Sequence, residues 1–275
     1  MYPIKRSIQP IVNILSTILF IAILGTSCQK VIPVKLTPGA TKYVIEGVIN
    51  DLPGSCKVSI TTTKEFSDDN SIAGVAGAAV TIESGGNSYT LTDAGNGTYS
   101  NTSVTGQPGK TYKMTVNIKG AIFTAASTMP QPVTPDTVYV GRMELSDKLY
   151  AFVVFTDPAG VPNYYRWVQY VNGRKEPTIF ASSDEFTDGL TLKEVLNFNN
   201  GTNDSKRDIH TGDSVRIDMF CIDAAVYKYW YSLDQEATGS GDPASPANPV
   251  GNITGGCLGY FSAQTYSTRT IIAGK

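Results

Sequence analysis

The amino-acid sequence predicts a mainly β protein. It should begin with an immunoglobulin-like or transthyretin-like β-sandwich and continue with a second β-rich domain that carries one α-helix. Apolar Cys56, Val58 and Ile60 alternate with polar residues, which is the period of a strand with one buried face. Glycine, asparagine and proline separate such segments at short intervals, as the turns between short strands require. One segment, near residues 224–237, has helical apolar spacing instead.

The N-terminal domain is expected to span residues 41–130. About seven short strands at regular spacing are typical of a Greek-key sandwich. The predicted strands are 43–49, 56–61, 78–83, 88–92, 98–100, 111–118 and 122–127. The best linker candidate follows, because three prolines between residues 130 and 135 remove hydrogen-bond donors and fix φ.

The C-terminal domain is expected to span residues 136–275. Its predicted elements are strands at 136–145, 149–157, 163–172 and 213–223, a polar middle at 173–211, and a hairpin-like closing strand pair at 258–272. Asp223 is a plausible N-cap for the helix near 224–237. The helix spacing places one apolar face toward the core, formed by Val226, Tyr229, Trp230 and Leu233.

The first residues have the features of a targeting signal. Lys5 and Arg6 precede an apolar run at 11–24, which is shorter than the roughly 20 residues that span a bilayer and has the length of a secretory signal. The run ends in Leu-Gly-Thr-Ser followed by Cys28, which is similar to a lipobox, although leucine stands one position early. This predicts a lipoprotein signal peptide at 1–27 and a tether at 28–40. An ordinary secretory leader or an uncleaved anchor is the alternative.

In a lipoprotein, the thiol and the new amino group of Cys28 would carry fatty acyl chains such as palmitate. Two or three such chains hold a protein stably on a membrane, at about 0.8 kcal/mol per buried CH₂ group. Cys28 is therefore the predicted lipid-attachment residue.

Composition excludes some functions. Lys and Arg number 22 against 24 Asp and Glu, so the basic excess of a nucleic-acid binder is missing. The sequence has one histidine, His210, and no Gly-x-Ser-x-Gly nucleophile motif. We therefore predict no enzyme activity, no catalytic residue, no metal site and no cofactor, and we expect His210 to be an exposed loop residue.

Acidic loops are the nearest approach to a metal site in the sequence. The segment 68–70 and the residues Asp184, Glu185 and Asp188 offer oxygen ligands. They lack the spacing of a calcium-binding loop. We expect solvated loops at both places.

Three cysteines remain besides Cys28. Cys56 alternates with apolar neighbours and is most simply a buried core residue. Cys221 and Cys257 leave two interpretations open: a disulfide, which an extracytoplasmic compartment permits, or two unpaired small apolar residues.

Aromatic side chains are concentrated on one predicted strand and on the helix. They are Tyr164, Tyr165, Trp167 and Tyr170 on the strand, and Tyr227, Tyr229, Trp230 and Tyr231 on the helix. Such rings could stack on a sugar or a peptide, but packing in the core is favoured. Alternation places Tyr165 and Trp167 on the opposite face from Tyr164 and Tyr170.

The order of short motifs along the chain resembles that of a known family. The motifs are Cys28-Gln29-Lys30-Val31-Ile32, Tyr43-Val44-Ile45-Glu46-Gly47, Asn50-Asp51-Leu52-Pro53-Gly54, Gly77-Ala78-Ala79-Val80-Thr81-Ile82, Gly109-Lys110-Thr111-Tyr112, Ser127-Thr128-Met129-Pro130, Asp157-Pro158, Asn163-Tyr164-Tyr165-Arg166, Gly212-Asp213-Ser214-Val215, Ala247-Asn248-Pro249-Val250-Gly251-Asn252-Ile253 and Leu258-Gly259-Tyr260-Phe261. In this order they are similar to the Bacteroidota lipoproteins grouped as domain of unknown function 4249.

The resemblance implies a location and a partner, but no activity. It implies a lipid-anchored outer-membrane protein that accompanies a TonB-dependent receptor and captures or hands over a ligand. The alternative is a structural or adhesive cell-surface protein without a transport role. A hydrolase that uses His210 is a third hypothesis. Gln29 and Lys30 stand where family members tend to have acidic residues, so the periplasmic and outer faces of the membrane both stay open. The ligand and the oligomeric state are not implied.

Overall fold

A computed structural model describes most of the chain after the predicted leader. The described residues are 40–64, 72–197, 207–238 and 248–274. The predicted signal peptide at 1–27, the lipid-attachment residue Cys28, the tether up to residue 39 and the acidic segment 68–70 lie outside them. Within the described ranges, none of the helices has both the length and the apolar character that crossing a membrane would need.

The described residues form strands β1 to β15 and helix α1. Their bounds are β1 Tyr43–Asn50, β2 Cys56–Thr62, β3 Ala79–Ser84, β4 Asn87–Gly95, β5 Thr98–Asn101, β6 Thr111–Ile118, β7 Ala121–Thr128, β8 Thr137–Arg142, β9 Leu149–Thr156, β10 Tyr164–Val171, β11 Arg174–Lys175, β12 Phe180–Ser183, β13 Thr191–Leu196, β14 Ser214–Ile222, α1 Ala224–Thr238 and β15 Leu258–Ile272. Strands make up 53% and helix 7% of the described residues, so the prediction of a mainly β protein with one helix in its C-terminal part is confirmed.

The first seven strands enclose the N-terminal core. Strand β4 pairs with β5 on one side and with β3 on the other, so one hydrogen-bonded path, β1-β2-β5-β4-β3-β6-β7, folds over the core. Alternate residues of both halves point inward and are almost completely buried. They include Ile45, Val58, Ile60, Tyr99, Val80, Ile82, Met114, Val116 and Phe123. This is the sandwich that the period-2 pattern predicted.

Strand β15 corrects the prediction of a closing hairpin. Residues 258–272 form one continuous strand that changes partners instead of direction. Its first half pairs in parallel with β1, with Ile45 opposite Gly259, and its second half pairs antiparallel with β14, up to Ser214 opposite Ile272. A strand reverses only where turn residues permit it, and the residues in the middle of this segment, Ser262–Ser267, include neither glycine nor proline.

The C-terminal part has three layers. Strands β11, β10, β14 and β15 form the central layer, and a separate sheet of order β13-β9-β8 covers one face of it. The core between these sheets contains Phe155, Tyr165, Trp167 and Ile217. The predicted polar middle holds three short strands, β11 to β13, which the sequence did not reveal.

Helix α1 covers the opposite face of the central layer. Its Val226 and Tyr229 pack with Phe220 and Tyr260, and Trp230 and Leu233 lie against the same cluster. These four helical residues are the predicted buried face. Because β15 pairs with strands on both sides of the proline-rich linker, the described residues after Gly39 form one compact unit; the boundary between domains at 130–136 stays a prediction.

Candidate functional site

A cleft of about 700 Å³ lies where three segments of the chain meet at one edge of the central sheet. The pairing of the strands brings them together, because Tyr164 at the start of β10 lies opposite both Ser183, the end of β12, and Ile222, the end of β14. Helix α1 begins two residues after Ile222. The lining residues are Gly160, Val161, Pro162, Tyr164, Ser183, Asp184, Glu185, Asp188, Ala224, Tyr227, Lys228 and Tyr231.

Three tyrosines form one wall of the cleft. Tyr227 and Tyr231 are four residues apart on α1, which places them on the same side of the helix. The ring centroids of Tyr164 and Tyr227 are 5.2 Å apart, and those of Tyr227 and Tyr231 are 5.8 Å apart. The rings therefore form a short aromatic ladder from the sheet edge to the helix surface, with Tyr231 exposed.

The opposite wall is acidic. Glu185 and Asp188 are exposed, whereas Asp184 is only 5% exposed, so the expectation of a solvated loop is wrong for Asp184. Its Oδ2 accepts a hydrogen bond from the backbone N–H of Asn163 at 2.8 Å. Asp188 Oδ1 accepts one from the N–H of Gly160 at 2.7 Å. These two bonds join the β12–β13 loop to the β9–β10 loop, and residues of both loops line the cleft.

A fourth carboxylate, Asp157, lies close to Asp184 and Asp188. It is 2% exposed, its Oδ2 accepts a hydrogen bond from the N–H of Gly189 at 3.0 Å, and its Oδ1 accepts one from the hydroxyl of Tyr165. Burial, and then the Asp157 carboxylate, raise the pKa of Tyr165 well above its ordinary value. Tyr165 therefore stays protonated and can keep donating this bond.

Asp157, Asp184 and Asp188 bring three carboxylate oxygens within 4.8 Å of one another. Such oxygens are ligands for hard cations. Each carboxylate also accepts a hydrogen bond from a loop N–H, so the cluster holds the two loops together without any further group. Sequence reasoning missed Asp157, because it lies 27 residues before Asp184 and the two loops meet only through strand pairing, of β9 with β13 and of β10 with β12.

His210 lies elsewhere, exposed in the turn before β14. Its backbone N–H donates to Asp213 Oδ2 at 2.7 Å, and its ring Nδ1 is 3.7 Å from the same oxygen. The side-chain amide of Asn172, and then the N–H of His210, lower the pKa of Asp213. His210 is not among the lining residues of the cleft, and it occupies the exposed position that the sequence predicted.

The structure does not bring Cys221 and Cys257 together. Cys221 is buried in the core between the two C-terminal sheets, where its Sγ accepts a hydrogen bond from the N–H of Val133 at 3.2 Å. Cys257 packs against the N-terminal core. Both are free thiols, as is Cys56, which is completely buried in the N-terminal core.

We expect the thiols to react in order of exposure. Burial raises the pKa of Cys56 to about 12 and also raises the pKa of Cys221 and of Cys257, but Cys56 and Cys221 are buried whereas Cys257 is only partly so. Iodoacetamide should therefore label Cys257 first in the native protein and the other two only after unfolding, as peptide mass spectrometry would report. Labelling of Cys56 as fast as Cys257 would contradict this burial. Apart from Cys28, denaturation without a reductant should expose the thiols of Cys56, Cys221 and Cys257, whereas a disulfide between Cys221 and Cys257 would leave only the thiol of Cys56.

The comparison with known families agrees with the resemblance noted in the sequence. No curated protein sequence matches this chain. The family model described as "Domain of unknown function (DUF4249)" matches residues 29–270, which include the helix, the lining of the cleft and all the described strands except the last two residues of β15. The chain therefore belongs to the family of domain of unknown function DUF4249.

Proposed function

We propose that this protein is a lipid-anchored accessory subunit of the outer membrane. It captures or hands over a ligand together with a TonB-dependent receptor, and it has no catalytic role of its own. The observation that carries the proposal is the combination of a lipobox-like segment ending at Cys28 with an open cleft of about 700 Å³ on the folded body. An anchored protein with a preformed concave site is suited to binding.

The composition of the cleft supports binding rather than group transfer. Its walls are tyrosine rings and carboxylates, and its one described hydroxyl nucleophile besides tyrosine is Ser183. A serine nucleophile needs an adjacent base. The histidine of the chain, exposed in the turn before β14, is not among the residues that line the cleft.

The anchor can be tested by replacing Cys28 with serine in the full-length precursor. We expect the wild-type protein in the outer-membrane fraction and Cys28→Ser absent from that fraction, because serine cannot take the thioether-linked lipid. Cys257→Ser is the matched control, since it removes a thiol and leaves the anchor, and it should fractionate like the wild type. Cys28→Ser present in the outer-membrane fraction as abundantly as the wild type would contradict the anchor.

The partner can be tested by cross-linking in intact outer membranes, followed by purification of the tagged lipoprotein. We expect a TonB-dependent barrel as the main cross-linked protein with the wild type, and a much weaker product with Cys28→Ser. Recovery of the wild type only as an uncross-linked monomer would instead favour the structural or adhesive alternative.

A further inference from the structure

The cleft carries an imbalance of charge. Asp184, Glu185 and Asp188 contribute three carboxylates to its lining, and Lys228 contributes the single ammonium group. In the described residues no ion pair within 4.0 Å involves any of these four side chains. The net potential inside the cleft is therefore negative, and charges lining a concave surface focus that potential on a ligand.

The tyrosine wall adds a second preference for a cation. The faces of aromatic rings attract guanidinium and ammonium groups within about 6 Å of the ring centre. The described residues make this contact elsewhere in the fold: for example, the guanidinium carbon of Arg166 is 3.7 Å from the Trp230 ring centre, and that of Arg216 is 3.8 Å from the Tyr170 ring centre. The rings of Tyr164, Tyr227 and Tyr231 have no such described cation above them.

Exposed apolar side chains surround this charged site. Val161 and Tyr231, both in the lining, are 58% and 50% exposed, and Phe186 and Leu190, in the loop that supplies the carboxylates, are 88% and 53% exposed. Large apolar residues grouped around a polar pocket are typical of a surface that contacts another protein. Aromatic anchors with a central charged contact are typical hot spots of such interfaces.

We propose that the cleft is the docking site for an exposed segment of a partner polypeptide that inserts an arginine or lysine side chain between the tyrosine ladder and the acidic wall. Apolar side chains of the same segment would pack on Val161, Phe186 and Leu190. The inference rests on the proposed accessory function and specifies how this subunit would hold its partner.

The probe is an acetylated, amidated peptide of sequence Leu-Phe-Arg-Leu-Phe with a fluorescent label, and its neutral counterpart has citrulline in place of arginine. Citrulline keeps the shape and removes the charge. We expect the arginine peptide to bind the mature protein and the citrulline peptide to bind about tenfold more weakly or not at all. Fluorescence anisotropy measures both affinities, and raising the salt concentration should weaken only the binding of the arginine peptide.

Two substitutions in the cleft should have opposite effects. Glu185→Lys should weaken binding of the arginine peptide about tenfold or more, and Lys228→Glu should strengthen it several-fold, because each changes the charge that the guanidinium meets. Glu144→Lys is the charge-matched control, since Glu144 is exposed in the β8–β9 turn and is not part of the lining; it should leave the affinity unchanged. If Glu144→Lys weakened binding as much as Glu185→Lys does, net charge alone would explain the loss of affinity, and the proposal would be overturned.

Small cations provide the decisive comparison. Tight binding of spermidine or Ca²⁺ alone, without binding of the arginine peptide, would make the cleft a small-ligand site and overturn the docking proposal.

Placing a photo-cross-linking amino acid at position 231 separates this inference from the proposed function. A barrel captured at other surfaces but never from position 231 leaves the accessory role intact and removes the cleft as its contact.

Discussion

Replacing Gly259 with alanine should cost the folded state about 3–5 kcal/mol. Gly259 has φ +103°, which lies in a backbone region that residues with a Cβ avoid. A Cβ built there would lie 2.0 Å from the carbonyl oxygen of Ile45 and 2.8 Å from its carbon, which is far inside van der Waals contact. Both colliding atoms belong to the backbone of β1, the strand paired with β15 at this point, so no side chain can rotate away. Urea unfolding followed by tryptophan fluorescence measures the loss.

Gly256→Ala is the matched control for this substitution. Gly256 has φ +86°, and a Cβ built there meets no other atom within 4 Å. The substitution should therefore destabilise the folded state only through the strain of the left-handed backbone, by about 1–2 kcal/mol. Equal losses in the two variants would show that backbone conformation, and not the close approach of β15 to β1, sets the requirement for glycine at 259.

The same experiment bears on the domain boundary. Since β15 pairs with β1 of the sandwich and with β14 of the C-terminal sheet, damage at Gly259 should propagate to both. Trp167 and Trp230 report on the C-terminal part, and the circular dichroism of the whole chain reports on both parts. Coincident transitions would show one cooperative unit, whereas an early transition of one part would support two domains.

Local patterns were enough to predict most of the strands and the helix. Cys56, Val58 and Ile60 alternate because one face of β2 is buried, and that requirement is local to the strand. The partners of a strand are not local. The interval 258–272 reads as β structure from its own residues, but whether it bends back or continues depends on β1, more than 200 residues earlier. This is why the predicted hairpin was wrong.

The cleft was harder to foresee for the same reason. Alternation correctly separated Tyr164 from Tyr165, and the buried partners of Tyr165 confirm its place in the core. Whether Tyr164 is covered or lines an opening depends on where α1 begins and how the β12–β13 loop folds. Core packing was therefore the right prediction for Tyr165, Trp167 and Trp230. It was incomplete for Tyr164 and Tyr227, which are partly packed and also line the cleft, and wrong for Tyr231, which lines the cleft and is exposed.

Replacing Asp223 with alanine should cost about 2–4 kcal/mol, which is more than an ordinary helix cap. Asp223 Oδ1 accepts the N–H of Val226 at 2.9 Å, the capping bond that the sequence predicted. Asp223 Oδ2 accepts the hydroxyl of Ser127 on β7, and that hydroxyl oxygen accepts the N–H of Ala263 on β15 at 2.8 Å. One carboxylate thus ties the start of α1 to strands of the sandwich.

Asparagine at the same position separates the two roles. Asp223→Asn keeps an oxygen for the N–H of Val226, but its amide group turns a donor toward the Ser127 hydroxyl and the Thr128 N–H, where the carboxylate accepted both. Its free energy of unfolding should therefore fall by about 1–2 kcal/mol, less than that of the alanine variant.

A double-mutant cycle tests the link to β7. Combined with Ser127→Ala, Asp223→Ala should show a coupling energy of more than about 0.5 kcal/mol. Additive losses would mean that Asp223 acts on the helix alone. Coupling would mean that α1, and with it the tyrosine wall of the cleft, is held in place by the sandwich, a link that a sequence separation of 96 residues conceals from any local pattern.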